Sequence, residues 1–170
     1  LELLKFQNLF FINELSIREI ISSNNLVEKF SVFKRYPSSL DIKINRTKFI
    51  ALVKKDGNNF LLGTNGKLIE LIEMKKNLPL IFGNFEKQSF FELKKIIDAS
   101  NFDYYQIKNL FFFQSGRWDI ETVSGLIIKL PRDNIELSLK RAIKILEINY
   151  EKKINKIDLR QNNQIIINGR

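Results

Sequence analysis

Four polar–glycine turns, at Asp56-Gly57-Asn58, Asn65-Gly66, Ser115-Gly116 and Ser124-Gly125, cut two stretches of this chain into strand-length pieces. Glycine reaches the positive-φ conformations of tight turns, and such pairs between short apolar runs signal hairpins. The pieces read as two meanders. The first comprises Phe49 to Val53, Phe60 to Leu62 and Leu68 to Ile72; the second comprises Ile107 to Phe113, Arg117 to Thr122 and Leu126 to Leu130. Each closes in Leu-Pro, at Leu78-Pro79 and Leu130-Pro131. A duplication would leave this plan, although alternation of this kind also arises by chance.

Helical stripes lie between and before the meanders. Ser16 and Glu19 stand at capping-box spacing beside an apolar face of Leu15, Ile17, Ile20 and Ile21. Leu26 to Arg35 is apolar-rich and Tyr36-Pro37-Ser38-Ser39 is a turn signal. Leu40, Ile42 and Ile44 then alternate with Asp41, Lys43 and Asn45 as in a half-buried strand. Phe85 to Ala99 carries Phe90, Leu93, Ile96 and Ile97 on one stripe, and a helix from about Asn134 to Tyr150, starting near Asp133, turns Ile135, Leu139, Ala142, Ile143 and Leu146 inward. The expected class is α+β: a small helix-and-hairpin unit, then a larger antiparallel sheet with packed helices.

Composition excludes more than it selects. The 170 residues hold 15 Phe and 44% hydrophobic residues, enough for a core, but no Cys and no His. Disulfides, thiolate chemistry and Cys-rich metal sites are ruled out, and the commonest near-neutral acid/base and metal ligand is missing. Carboxylates fall on turns or beside Lys, as at Glu92/Lys95, where solvated ion pairs are the ordinary reading. Asn65-Gly66-Lys67 lacks the remainder of a phosphate-binding loop and reads as a hairpin turn. No metal or cofactor site is expected. Asp119 and Asp158 sit in strand patterns, where Asp is unusual; they either pair with Arg117 and Arg160 or line a polar surface. Trp118 reads as a core residue. Phe111 and Phe113 fall on one face of their strand and Phe112 on the other; Phe11 and Phe33, like these, are more naturally packing residues than base-stacking platforms.

The charge of +9 admits a nucleic-acid reading, but Lys is scattered and no five basic residues run together. No apolar run approaches the roughly 18 residues of a spanning helix, and no signal peptide is visible. Because the chain starts at Leu1, an upstream segment is expected.

The C-terminus stands apart. Residues 157–167, Ile-Asp-Leu-Arg-Gln-Asn-Asn-Gln-Ile-Ile-Ile, read as a strand, a polar turn and a β-branched strand without Pro or Lys from Gln164 to Ile167. An edge of this kind lacks the usual guards against pairing with another chain.

Several motifs resemble, in order and approximate spacing, the FtsQ/DivIB family of bacterial cell-division proteins. They are Arg35-Tyr36-Pro37-Ser38-Ser39-Leu40-Asp41-Ile42, Gly66-Lys67-Leu68-Ile69, Leu78-Pro79-Leu80-Ile81-Phe82-Gly83, Gly116-Arg117-Trp118 with Gly125, and Ile157-Asp158-Leu159-Arg160. The resemblance implies the C-terminal part of a POTRA domain over residues 1–47 and an FtsQ-type β domain over 48–170. It further implies a non-enzymatic division scaffold, without cofactor, small-molecule substrate or nucleic acid. Such a protein is anchored in the bacterial inner membrane by one upstream helix, with this region on the periplasmic side at the septum. The implied partners are FtsB- and FtsL-type proteins, a strand of the former docking at Arg160, Gln161, Asn163, Gln164, Ile165, Ile166 and Ile167. Two departures stand out. Asn45-Arg46-Thr47-Lys48 keeps only the Arg of the family's Glu-Arg-x-Pro, and Gln161 replaces an aromatic residue after Asp-Leu-Arg, removing an expected apolar anchor.

Two rival classes remain at this stage: a POTRA-containing outer-membrane assembly or secretion factor, and a basic nucleic-acid-binding domain. The first is disfavoured because the chain after Lys48 mixes helices with unequal strands, unlike the about ten-residue alternating strands of a barrel. The second would bind oligonucleotides with steep salt dependence.

Overall fold

The computed structural model describes residues 13–37, 39–71, 77–148, 154–161 and 164–169; Leu1, Phe11, Ser38, Ile72, Tyr150, Asn162 and Asn163 of the sequence reading lie outside them. The chain forms two compact units, Leu1–Ile50 with Phe60–Leu71, and Ala51–Asn59 with Ile72–Arg170.

In the first unit helix α1 spans Glu14–Ser22. Its cap differs from expectation: Asn13 accepts the Leu15 N–H through its side chain, and Ser16 lies one turn inside the helix. An Asn just ahead of the first turn satisfies an otherwise orphaned N–H, so the Ser16/Glu19 spacing is coincidental. Ile17 and Ile21 are buried against Val27, Phe30, Val32, Leu40 and Ile42. Those five belong to the antiparallel hairpin of β1 (Val27–Arg35) and β2 (Ser39–Arg46), where Phe30 faces Ile44 and Val32 faces Ile42. The alternation read in the sequence is thus the side of the hairpin turned to α1.

The remaining strands are β3 (Phe49–Lys55), β4 (Asn58–Gly63), β5 (Leu68–Glu70), β6 (Leu80–Phe82), β7 (Ile107–Phe112), β8 (Trp118–Thr122), β9 (Ile127–Lys129), β10 (Ile154–Gln161) and β11 (Gln164–Gly169). They make one sheet in the order β11-β10-β9-β8-β7-β6-β3-β4-β5. Helix α2 (Lys87–Asp98) joins β6 to β7, and α3 (Ile135–Ile148) joins β9 to β10.

The class is α+β as expected, but the sheet is mixed, not antiparallel throughout. Neighbours β3/β6, β6/β7 and β9/β10 run parallel. Parallel neighbours require a crossover connection, and α2 and α3 supply two of them. The apparent repeat is not carried into the topology: a strand follows Leu78-Pro79 directly, whereas Leu130-Pro131 leads into α3.

The core of the second unit lies between α2, α3 and one face of this sheet. Phe90, Leu93 and Ile97 of α2 and Leu139 and Ala142 of α3 are buried, as are Leu110, Trp118, Ile120, Ile128, Ile157 and Leu159 of the sheet. Trp118 is a core residue, 1% exposed, with Phe85, Phe90 and Phe112 around its ring and its indole N–H donating to Ser89 Oγ at 3.1 Å. Phe111 takes the opposite face, stacked on Phe82 at 5.1 Å, as the period-two reading requires.

Candidate functional site

Among the described residues β11 is an edge: it pairs with β10 on one side and ends the sheet order on the other. Ile157 faces Ile167, Asp158 faces Ile166, and the register shifts before the Gln161–Gln164 pair that closes the hairpin. Ile157 is fully buried on the helix side, so Ile167, and Ile165 two residues before it, share that side. Ile166 and Gln164 share the other side with Asp158. Three consecutive apolar residues stay 41%, 47% and 43% exposed. A solvated edge carries charge or Pro to prevent pairing; this one carries isoleucine.

Two recesses flank the strand. On the helix side, Leu159, Gln161 and Ile165 form with Asn134, Leu137, Ser138 and Arg141 of the α3 region a cleft of about 200 Å³. On the other side, Arg117, Asp158, Arg160, Gln161, Gln164 and Ile166 line a shallower recess of about 360 Å³. A side chain on either face of an added strand therefore has a place to go.

The second recess rests on a ladder of charge across β8, β9 and β10. Asp119 and Asp158 both face Lys129 of the strand between them. Both carboxylates are buried, and each is held by an Arg two residues away in sequence: Arg117 just before β8, and Arg160 within β10. Arg117 Nε donates to Asp119 Oδ1 at 3.2 Å. Arg160 grips Asp158 with Nε on Oδ1 at 2.8 Å and a terminal nitrogen on Oδ2 at 2.5 Å. The pairing left open for these residues is thus realised at both, and Asp158 also lines the recess. Their electrostatics differ. The Arg160 hydrogen bonds hold Asp158 below the ordinary carboxylate value. Burial pushes Asp119 up, against the pull of Arg117, Lys129 and Arg160.

Of the seven expected docking residues, Gln164, Ile165, Ile166 and Ile167 lie on the edge strand, while Arg160 and Gln161 end its neighbour β10. Asn163 is outside the described residues. The expected docking set did not include Arg141 and Leu137, which line the first recess, or Arg117, which lines the second and was read from the sequence only as a partner for Asp119. Leu137 had a signal: it is an apolar residue off the inward stripe of α3, and it is 51% exposed.

The family model described as cell division protein FtsQ/DivIB, C-terminal, matches residues 51–160, about two-thirds of the chain. The chain belongs to the FtsQ/DivIB family. Curated relatives include the cell division protein FtsQ of Rickettsia bellii, 27% identical over 172 residues covering 96% of this chain and 62% of that protein. The cell division protein DivIB of Clostridium botulinum is 29% identical over 175 residues, covering 88% of this chain and 65% of that protein. The chain therefore spans less than two-thirds of the length of these relatives. Among solved structures, the major extracytoplasmic domain of DivIB from Geobacillus stearothermophilus aligns with a TM-score of 0.44 at 13% identity, over 63% of this chain and 97% of that one. The matched FtsQ/DivIB segment stops at Arg160, so it includes the Asp158–Arg160 pair and ends before β11. No helix among the described residues is long and apolar enough to cross a membrane.

Proposed function

We propose that this FtsQ/DivIB chain is a non-enzymatic scaffold of the division machinery that accepts a strand from an FtsB-type partner along β11, in an assembly that also holds an FtsL-type protein. Residues 1–47 are the end of a POTRA domain and 48–170 the β domain. An upstream transmembrane helix anchors the whole in the inner membrane, with this region on the periplasmic side at the septum.

The observation that carries this reading is the β11 edge, unpaired on its outer side among the described residues, with three half-exposed isoleucines and a recess on either side. Main-chain hydrogen bonds would give such a complex its affinity, and alternate side chains its selectivity. Apolar residues of the incoming strand suit Leu137 and Ile165, whereas the recess beside Arg117 and Arg160 suits a carboxylate. Arg160 is already gripped by Asp158, so a partner carboxylate would join an existing pair, not meet a free cation. The family favours this reading over the nucleic-acid and outer-membrane alternatives, neither of which is a division role.

Hydrogen exchange on the complete chain, with and without the FtsB-type partner, tests it. Strand addition slows exchange of backbone amides within Gln164–Gly169. Partner binding that leaves those amides unchanged overturns the proposal.

A further inference from the structure

The Asn65-Gly66-Lys67 turn, an ordinary hairpin turn by its sequence, does more in the first unit than join β4 to β5. Asn65 spends its side chain on long-range bonds. Its amide nitrogen donates to the carbonyls of Asn25 and Val27, each at 2.9 Å, and its oxygen accepts the Lys67 N–H at 3.0 Å. Both amide protons are thereby used. The Asn65 N–H donates to Thr47 Oγ1 at 3.3 Å, Thr47 and Thr64 hydroxyls meet at 3.1 Å, and Thr64 Oγ1 donates to Glu28 Oε2 at 2.7 Å. Since a hydroxyl has one proton and that of Thr64 goes to Glu28, the Thr47 hydroxyl is the donor between the two. The result is a directed relay from Asn65 through Thr47 and Thr64 to a carboxylate on β1.

Two further bonds fasten the same turn to the end of α1. The Lys67 ammonium donates to the Ser22 carbonyl, and the Asn25 side chain donates to the Leu68 carbonyl at 3.1 Å. A cation is well placed at a helix C-terminus, where carbonyls lack partners and the dipole is negative. Packing is close as well: a Cβ on Gly63 would stand 2.6 Å from Asn65 Oδ1 and 2.7 Å from Thr47 Oγ1.

We propose that this turn is a latch with Asn65 as its key, which closes the junction between the helix–hairpin and the strands that follow it. Residues 63–68 thereby complete the helix–hairpin unit, and Arg46-Thr47-Lys48 is a clasped junction, not a free linker. The two sides open together or not at all.

Hydrogen exchange on the complete chain carrying Asn65→Asp tests this, because the substitution keeps the shape but turns an oxygen toward two carbonyl oxygens. Losing both donor bonds and stranding their acceptors speeds exchange by roughly tenfold or more. The loss is expected jointly at Lys67, within the turn, and at Thr47, whose N–H donates to Leu26 O across the junction. Amides of Leu110 and Ile120 in the second unit stay within about twofold of the parent chain, since that core is separate. Faster exchange at Lys67 with Thr47 unaffected overturns the proposal. Thr64→Val, which breaks the relay and leaves Asn65 intact, decides the matter if the first variant does not fold: a smaller joint loss supports the latch, and a loss confined to residues 64–67 refutes it.

Discussion

Ile166 offers the sharpest test of the edge. It is 47% exposed, and its neighbours Ile165 and Ile167 are 41% and 43% exposed, so each retains nearly half its side-chain surface for a partner to cover. Fully burying an Ile side chain stabilises by roughly 1.5–3 kcal/mol, so covering the remainder of Ile166 contributes about 1 kcal/mol to association. Replacing it by Lys removes that contribution. The new ammonium would also stand beside Arg117 and Arg160 in the same recess, where the Asp158 carboxylate opposite is already taken up by Arg160, and beside a newly bound strand. A lysine is moreover a guard that natural edge strands use against pairing. Together these effects cost about 2 kcal/mol, or roughly 30-fold in Kd. Titration calorimetry of Ile166→Lys with the FtsB-type partner measures it, and thermal unfolding verifies the fold. Val123→Lys is the control, since Val123 is 61% exposed in the β8–β9 turn, away from the edge strand. An Ile166→Lys protein that folds normally and binds within about twofold of the parent chain would refute the reasoning, because no strand could then be seated on that surface.

Two other predictions concern the scaffold. Gly83 has φ +100° and a Cβ there would overlap the Phe112 carbonyl, so Gly83→Ala combines backbone strain with a clash between β6 and β7. It should destabilise by about 2 kcal/mol or more in urea titrations, and a change below about 0.5 kcal/mol would contradict the geometry. The two buried aspartates should show opposite pH linkage. Asp158, held below its ordinary value of 3.8, contributes stability that is present above that value and is lost as pH falls through its lower folded value. Asp119, raised by burial, opposes folding when ionised, so its penalty is absent in acid and grows as pH rises through its folded value. Asp158→Asn should therefore lower Tm against the parent chain at pH 7, by a margin that shrinks only once the pH is taken below 3.8, whereas Asp119→Asn should not; equal responses in both variants would sink the assignment.

What lay open in the sequence was local. Turn conformations and hydrophobic periods are set within a few residues, so the hairpins at Gly57, Gly66, Gly116 and Gly125, the buried stripe of α2 and the apolar β11 could be read directly. Trp118 announced itself as core for the same reason, and the i, i+2 spacing of Asp158 and Arg160 already placed them on one face of a strand. The Asn13 cap was equally local but was masked by the competing Ser16/Glu19 pattern, one turn further on.

Everything that joins distant segments waited for the tertiary structure. No local pattern states that β6 enters between β3 and β7, that α3 delivers β10 parallel to β9, or that the amide of Asn65 reaches Asn25 and Val27 some forty residues earlier. Leu137 could be seen as an odd exposed leucine, but not as one wall of a cleft against Ile165. Sequence alone thus determined most of the elements, the short β6 excepted, and the character of the last strand, because those depend on dihedral preferences and side-chain period over one turn or one strand. The neighbours of each element, and hence which strand is left as the edge, depend on crossovers and on polar groups finding partners across long loops, and these exist only when the whole chain is folded.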